Sequence, residues 1–470
     1  MQKKRVGVIT FHNYDNYGAI LQSYALQKKL QEIGTQPEII DYRCDYISNP
    51  FRLVNLKKKG LFNYIYGTIG HICYIPRRFK CNRFRRHMRY SQPVTQGKMQ
   101  PVAGKYDIYI AGSDQIWDYK LTNFDTTYFL DFVKEGKKKC SYAASIGENL
   151  PPEEYQQKYK ELLSDFDEIL VREDYGADIV ENLTEKRPEV VCDPTLLLTA
   201  EEWDKLLVEP KYKEKYILVY QLGINKEIVD FARRLHNKTG YRIVYIPFPL
   251  VGLLKCDCKI TVGPAEWMGL FKNAEYVISD SFHGVVYSLL FNRNFFAMVN
   301  GHHMNRRVQQ LLKMVGLSHR TIENVSDEEL TQPIDFTFAN EEIARFRQIG
   351  PESTRILEEC VRQIKKGETE FEIAGRITGA LMAKGYQVPV CLVAADDRLK
   401  KFRHPIPTAN KVEKYAMAAI CAQKYGLTIS ISRIVSFGEV DEDKMKRLKA
   451  VVKADAAYIL STVPGVTAVS

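Results

Sequence analysis

Residues 276–290 read Tyr276-Val277-Ile278-Ser279-Asp280-Ser281-Phe282-His283-Gly284-Val285-Val286-Tyr287-Ser288-Leu289-Leu290, a short apolar run, a polar turn and a second apolar run. The first run has the length and β-branched content of a buried strand, and the second those of a buried helix. His283 therefore falls in the turn at a strand's carboxyl end. In open α/β sheets ligands bind at this edge, and the free amides of a helix N-terminus favour anions there. Ser279, Asp280 and Ser281 are residue types that cap helices, and Gly284 would let a ligand approach the backbone.

The same grammar recurs on both sides. A strand over Arg5 to Phe11 leads into the turn His12-Asn13-Tyr14-Asp15-Asn16-Tyr17-Gly18, then an amphipathic helix from Ala19 to Ile33 stopped by Gly34, then a strand over Glu38 to Tyr42. That is a βαβ unit. Strands over Tyr106 to Ile110, Lys139 to Ala144 and Glu168 to Val171 each deliver polar residues at their carboxyl ends, among them Ser113, Asp114 and Arg172. A second series begins near Tyr216, with strands over Tyr216 to Gln221, Arg242 to Pro247 and Tyr276 to Ser279. The predicted fold class is α/β, with two Rossmann-like doubly wound domains, 1–205 and 206–350, facing a cleft. From Pro351 the chain becomes alanine-rich, with helices expected over Ser353 to Lys366 and Glu370 to Lys384.

At 470 residues, with 45% hydrophobic and 11% aromatic content, the chain is globular and too long for one core. It lacks an apolar run of membrane-spanning length, and its start, Met1-Gln2-Lys3-Lys4-Arg5, has no signal-peptide core, so a cytoplasmic location is expected. The ten cysteines are scattered, which suits reduced thiols. Cys256 and Cys258 lack a second pair at zinc spacing, and His302 and His303 lack a spaced carboxylate, so no metal site is expected. Charge is unevenly spread. Between Tyr46 and Tyr106 stand 13 Lys or Arg and no acid, which leaves −3 for the rest of a chain whose net charge is +10. This excursion, densest at Arg77 to Arg89, suits phosphate-bearing partners, and peripheral contact with an anionic membrane at the inner face of the cell is expected in preference to nucleic acid.

In order, Asn16-Tyr17-Gly18-Ala19-Ile20-Leu21-Gln22-Ser23-Tyr24-Ala25-Leu26, Gly112-Ser113-Asp114-Gln115-Ile116-Trp117, Val171-Arg172-Glu173-Asp174, Cys192-Asp193-Pro194-Thr195 and Ser279-Asp280-Ser281-Phe282-His283-Gly284 resemble the polysaccharide pyruvyl transferase family over about Met1 to Gly350. The resemblance implies a fold like that of GT-B glycosyltransferases and transfer of a pyruvyl group from phosphoenolpyruvate, as donor substrate with no cofactor, onto two hydroxyls of a sugar or lipid-linked oligosaccharide as a ketal. It implies that His283 and Arg172 contact the donor. A histidine suits the proton transfers, and an arginine fork suits the donor's phosphate and carboxylate. Asn16, Tyr17 and Gly18 are expected to offer amides to an anion, with Ser113, Asp114, Ser281, Gly284 and Trp117 at the cleft. Ser281 stands where some members carry arginine, and Arg306 or Arg307 could supply that charge. Asp193 reads as a turn starter. The alternatives are a nucleotide-sugar glycosyltransferase on the same scaffold and a non-catalytic anion- or membrane-binding protein.

Residues 351–470 resemble the first half of the catalytic domain of creatinase and Xaa-Pro peptidases, through Gly367-Glu368-Thr369-Glu370-Phe371-Glu372-Ile373-Ala374-Gly375, Arg403-His404-Pro405-Ile406-Pro407-Thr408 and Ser430-Ile431-Ser432-Arg433-Ile434-Val435-Ser436-Phe437-Gly438. Active members bind two metal ions with two aspartates from a hairpin in this half. Here Cys421 and Ser430 stand where those aspartates are expected, so neither metal ions nor peptidase activity is expected of this segment.

Overall fold

The computed structural model describes residues 3–44, 46–47, 75–147, 150–212, 214–222, 225–246, 257–258, 262–299, 305–402, 404–424 and 427–438. It divides into two compact units, Met1–Asn340 and Glu341–Ser470. His302, His303, Cys256 and the four basic residues Arg52, Lys57, Lys58 and Lys59 of the excursion lie outside the described residues.

The first unit contains two parallel sheets. In the first, β1 (Arg5–Ile9), β2 (Gln36–Ile39), β3 (Ile108–Ala111) and β4 (Lys138–Ser141) stand in the order β2-β1-β3-β4. Val6, Val8 and Ile9 are buried on both faces of β1, as strands in a covered parallel sheet must be. Two short strands, β5 (Leu170–Val171) and β6 (Glu189–Val190), pair with each other, and β5 joins the edge through the bridge Ala144↔Val171. In the second sheet, β7 (Tyr216–Tyr220), β8 (Arg242–Ile246), β9 (Asp257–Cys258), β10 (Tyr276–Ser279) and β11 (Asn294–Ala297) run in the order β11-β10-β7-β8-β9.

Helix α1 (Tyr17–Glu32) begins two residues before the expected start because the Asn16 side chain accepts the Ala19 amide and caps it, and Gly34 at φ +89° follows its end. Strand β10 has the bounds read from sequence. Strand β2 lies two to three residues earlier, and β1 stops at Ile9, before Thr10 turns its hydroxyl onto the Ser113 carbonyl. The strands expected from sequence include none over Asn294–Ala297, which is β11. Parallel pairing with β10 over Tyr276↔Asn294 to Ser279↔Ala297 makes it one.

Within the described part of the basic excursion, residues 75–85 form helix α2. Two of its arginines bind protein. Arg77 is 1% exposed, donates to the Asp15 carbonyl and lies over the Tyr17 ring at 4.3 Å. Arg85 donates to the carbonyls of His12 and Tyr14 and to Asp15 Oδ1. These bonds fasten the turn between β1 and α1, so Arg85 is not available to the anionic partner expected of this stretch.

In the second unit, β12 (Gln387–Ala395), β13 (Tyr415–Lys424) and β14 (Leu427–Ser436) form an antiparallel sheet in that order. The helix Glu370–Met382 buries Ile373, Ile377 and Leu381 with Val393, Ala416, Ala418 and Ile420. It starts with a Thr369–Glu372 capping box. Glu370 is fully buried, and its carboxylate accepts from the amides of Ala395 and Thr408, the Thr408 hydroxyl and Arg398 Nε. The preceding helix runs over Thr337–Arg362, starting well before the expected Ser353. The β13–β14 register sets Cys421 opposite Ser430, so the two positions at which metal-binding aspartates were looked for are cross-strand neighbours, and neither is a carboxylate.

Gly7 in β1 tests how tightly the first sheet is packed. A Cβ there would stand 2.4 Å from Tyr106 Cδ2, and the Tyr106 ring cannot swing away because its hydroxyl donates to Glu38. Gly7→Ala should cost about 1–3 kcal/mol by overpacking, measured by urea denaturation, and should leave activity per folded molecule unchanged.

Candidate functional site

Four chain segments converge at the carboxyl ends of the two sheets in the first unit. Ser113 follows β3, Arg172 follows β5, Asp193 caps the turn Pro194–Leu197, and His283 lies in the first turn of helix Phe282–Leu290 after β10. Asp193 joins them. Its Oδ2 accepts from Arg172 Nη1 at 2.9 Å and from the Ser113 hydroxyl at 3.1 Å, and its Oδ1 accepts from the Thr195 amide and hydroxyl. His283 Nε2 stands 3.6 Å from Asp193 Oδ2, an electrostatic contact too long for a hydrogen bond. The residue that reads as a turn starter is thus also the centre of the cluster. Sequence offered no signal for this beyond its place in a motif, because Arg172, Ser113 and His283 come from positions 21, 80 and 90 residues away.

Burial alone would raise the Asp193 pKa. It is outweighed by the charge of a protonated His283, by Arg172 and by the Thr195 hydroxyl, and the carboxyl is held well below the usual carboxylate range. Burial likewise disfavours the Arg172 cation, and the carboxylates of Glu173, Asp193 and Asp114 overcome it, so the guanidinium is more firmly protonated than a free arginine. Arg172 Nε binds Glu173 Oε1 at 2.7 Å, and both side chains are 2% exposed. Two of its three nitrogens are therefore committed within the protein, and Nη2 has no partner.

Three basic groups surround the Phe282 ring. The Arg172 guanidinium carbon lies 4.7 Å from its centroid, that of Arg307 lies 5.8 Å away, and the His283 ring centroid lies 5.4 Å away. Arg172 Nη2, Arg307 Nε and His283 Nε2 are all buried without a hydrogen-bond partner. Of the two arginines considered as substitutes for the charge missing at Ser281, the structure brings Arg307, 4% exposed, to this ring. Arg306 is exposed and stacks on Tyr175. Helical phase decides this, because Arg307 and Val308 lie on the buried side of Asn305–Met314.

Several expected contacts have other uses. The Tyr17 hydroxyl donates to the Val262 carbonyl, and its ring stacks on Trp267, so it fastens α1 to the second sheet's half. Gly18 matters for space: a Cβ would meet His283 Nδ1 at 2.1 Å, so the imidazole rests on the first turn of α1. Gly284 is needed against Ser279 Oγ, 2.4 Å from where its Cβ would be, and the Ser281 hydroxyl accepts the Gly284 amide as the helix cap. Trp117 is fully buried and donates to the Tyr128 carbonyl, so it belongs to the core and not the cleft. Asp114 holds a left-handed φ of +83°, unusual outside glycine, and its Oδ1 accepts the Gln115 amide. Among the described residues no group of three or more His, Cys, Asp or Glu could hold a metal ion. No helix among them is long and apolar enough to cross a membrane.

The chain belongs to the polysaccharide pyruvyl transferase family, whose profile matches residues 16–303. The profile of metallopeptidase family M24 matches residues 344–470. No curated protein matches. Among solved structures the chain is similar to the UDP-GlcNAc 2-epimerase of Methanocaldococcus jannaschii in complex with UDP-GlcNAc and UDP, at 14% identity over 66% of this chain and 87% of that one, with a TM-score of 0.35. It is also similar to a UDP-N-acetylglucosamine 2-epimerase from Listeria monocytogenes, at 9% identity over 77% and 97%, with a TM-score of 0.43. The X-Pro aminopeptidase of Thermotoga maritima MSB8 matches at 23% identity over 38% of this chain, with a TM-score of 0.22, and only 45% of that enzyme's length is covered.

Asp193→Asn keeps the shape but removes the charge that answers Arg172 and His283. It should lower the stability of the first unit by about 3–5 kcal/mol at pH 7, the cost of breaking a buried pair. A carboxyl whose pKa is depressed by folding contributes stability above its unfolded pKa and loses it as pH falls. The gap between wild type and variant should therefore narrow as pH drops below about 4. Denaturation at a series of pH values checks this, and a gap independent of pH would show that charge is not its source.

Proposed function

We propose that this chain transfers the pyruvyl group of phosphoenolpyruvate to two hydroxyls of a sugar in a surface-polysaccharide precursor, forming a ketal and releasing phosphate. The observation carrying this reading is the set of three buried nitrogens around Phe282, on Arg172, Arg307 and His283, that lack a hydrogen-bond partner. Buried donors of this kind are costly unless something binds them, and a small ligand with a phosphate and a carboxylate would do so. Family membership supports the pyruvyl chemistry.

In the reaction the methylene carbon of phosphoenolpyruvate takes a proton, a sugar oxygen adds to C2, the bond from C2 to the phosphate oxygen breaks, and the second sugar oxygen adds to C2. Of the two hydroxyl protons released, one balances the proton taken up by the methylene and the other leaves with phosphate. His283 is the group suited to exchanging these protons, through its unpartnered Nε2. Arg307, whose charge is less encumbered than that of Arg172, takes the larger share of the donor's charge, and Arg172 contributes Nη2 while bracing Asp193.

His283→Ala should lower turnover on the order of 100-fold or more with the fold intact, followed as phosphate release together with mass gain in a lipid-linked or nucleotide sugar acceptor. Arg307→Gln should weaken phosphoenolpyruvate binding by about 1.5–3 kcal/mol, the range for hydrogen bonds to charged groups. Phosphoenolpyruvate should raise the melting temperature. A rise with a nucleotide diphosphate sugar and none with phosphoenolpyruvate would point to glycosyl transfer instead.

A further inference from the structure

The outer face of α2 carries side chains that the fold does not use. Arg77, Cys81 and Phe84 face inward, at 1%, 0% and 3% exposure, and with Arg85 they clamp the helix to the turn before α1. The opposite side presents Ile75 and Phe79, one turn apart and 54% and 68% exposed. Around them stand the exposed residues Arg78, Asn82, Arg83 and Arg86. Lys80 is paired with Glu266 at 2.8 Å, and Arg78 reaches Asp15 only at 4.0 Å. Among the described residues Arg83, Arg86 and the exposed Arg89 form no ion pair. No Asp or Glu occurs in the sequence between Tyr46 and Tyr106 to answer them.

We propose that this face docks peripherally on an anionic lipid bilayer, with Ile75 and Phe79 entering the headgroup boundary and Arg78, Arg83 and Arg86 contacting lipid phosphates. Two large apolar side chains on one helical face, ringed by arginine, are what an interfacial helix buries. A nucleic acid would use the arginines and could stack on Phe79, but has no use for Ile75. The helix is a rigid platform because its inner arginines are tied to carbonyls of the turn that leads to Gly18 and His283. Bilayer and candidate site would therefore be joined through one loop. The proposal does not rest on pyruvyl transfer, because vesicle binding is read without turnover.

The test is co-sedimentation of the full chain with phosphatidylcholine vesicles with and without phosphatidylglycerol, at ~0.1 M and ~1 M salt, where the Debye length falls from about 10 to about 3 Å. Binding should require phosphatidylglycerol and weaken at the higher salt. Arg78→Gln, Arg83→Gln and Arg86→Gln combined should weaken it on the order of 100-fold, and Phe79→Ser alone should also weaken it. The three native tryptophans, Trp117, Trp203 and Trp267, are fully buried, so a Phe79→Trp variant gives an exposed reporter whose emission should shift to the blue on vesicles. Absence of binding by the intact chain would overturn the proposal, as would equal binding by the triple variant or an unshifted Phe79→Trp emission in bound protein. Retention on duplex DNA that the triple variant loses, without vesicle binding, would reassign the face to nucleic acid.

Discussion

The buried carboxylate of Asp193 is the contact on which the first unit's cleft depends. It accepts from residues that end two strands of the first sheet, caps its own turn, and faces a histidine that begins a helix of the second. A buried charge is stable only when answered, so each of these segments is held where it can supply a donor. That requirement gives the cleft one arrangement of Arg172 and His283. Glu173 extends the same logic by taking the other edge of the Arg172 fork.

Arginine plays three roles in this chain, separated by burial. Arg172 is enclosed among carboxylates. Arg77 and Arg85 each donate to main-chain oxygens of the turn that carries α1 to His283 and so brace it. Arg78, Arg83 and Arg86 remain at the surface with their charge available. A count of +13 over the segment treats all of them alike, yet only the exposed set can attract an external anion at appreciable range.

The second unit is built on ordinary packing of a capped helix against a three-stranded sheet, with a buried Glu370 whose oxygens are answered by two amides, a hydroxyl and an arginine. Its hairpin sets Cys421 beside Ser430, a pair without the negative charge that draws divalent ions. The profile of metallopeptidase family M24 matches this region.

Much of this protein was legible in its sequence. Apolar runs of four or five residues ending in polar turns marked the strands β1, β3, β7, β8 and β10 and the place of His283, because burial in a parallel sheet demands such runs and helix starts demand caps. The motifs also placed Ser113 and Arg172 in one vicinity with His283. Other features were settled only by the tertiary fold. Strand β11 exists because β10 offers it an edge. Trp117 went to the core, Arg307 displaced Arg306 at the Phe282 ring, and Asp193 became the centre of the cluster. Each of these depends on which distant residue lies opposite, and a one-dimensional pattern records spacing along the chain but not the partner across the fold that satisfies a buried charge or fills a face.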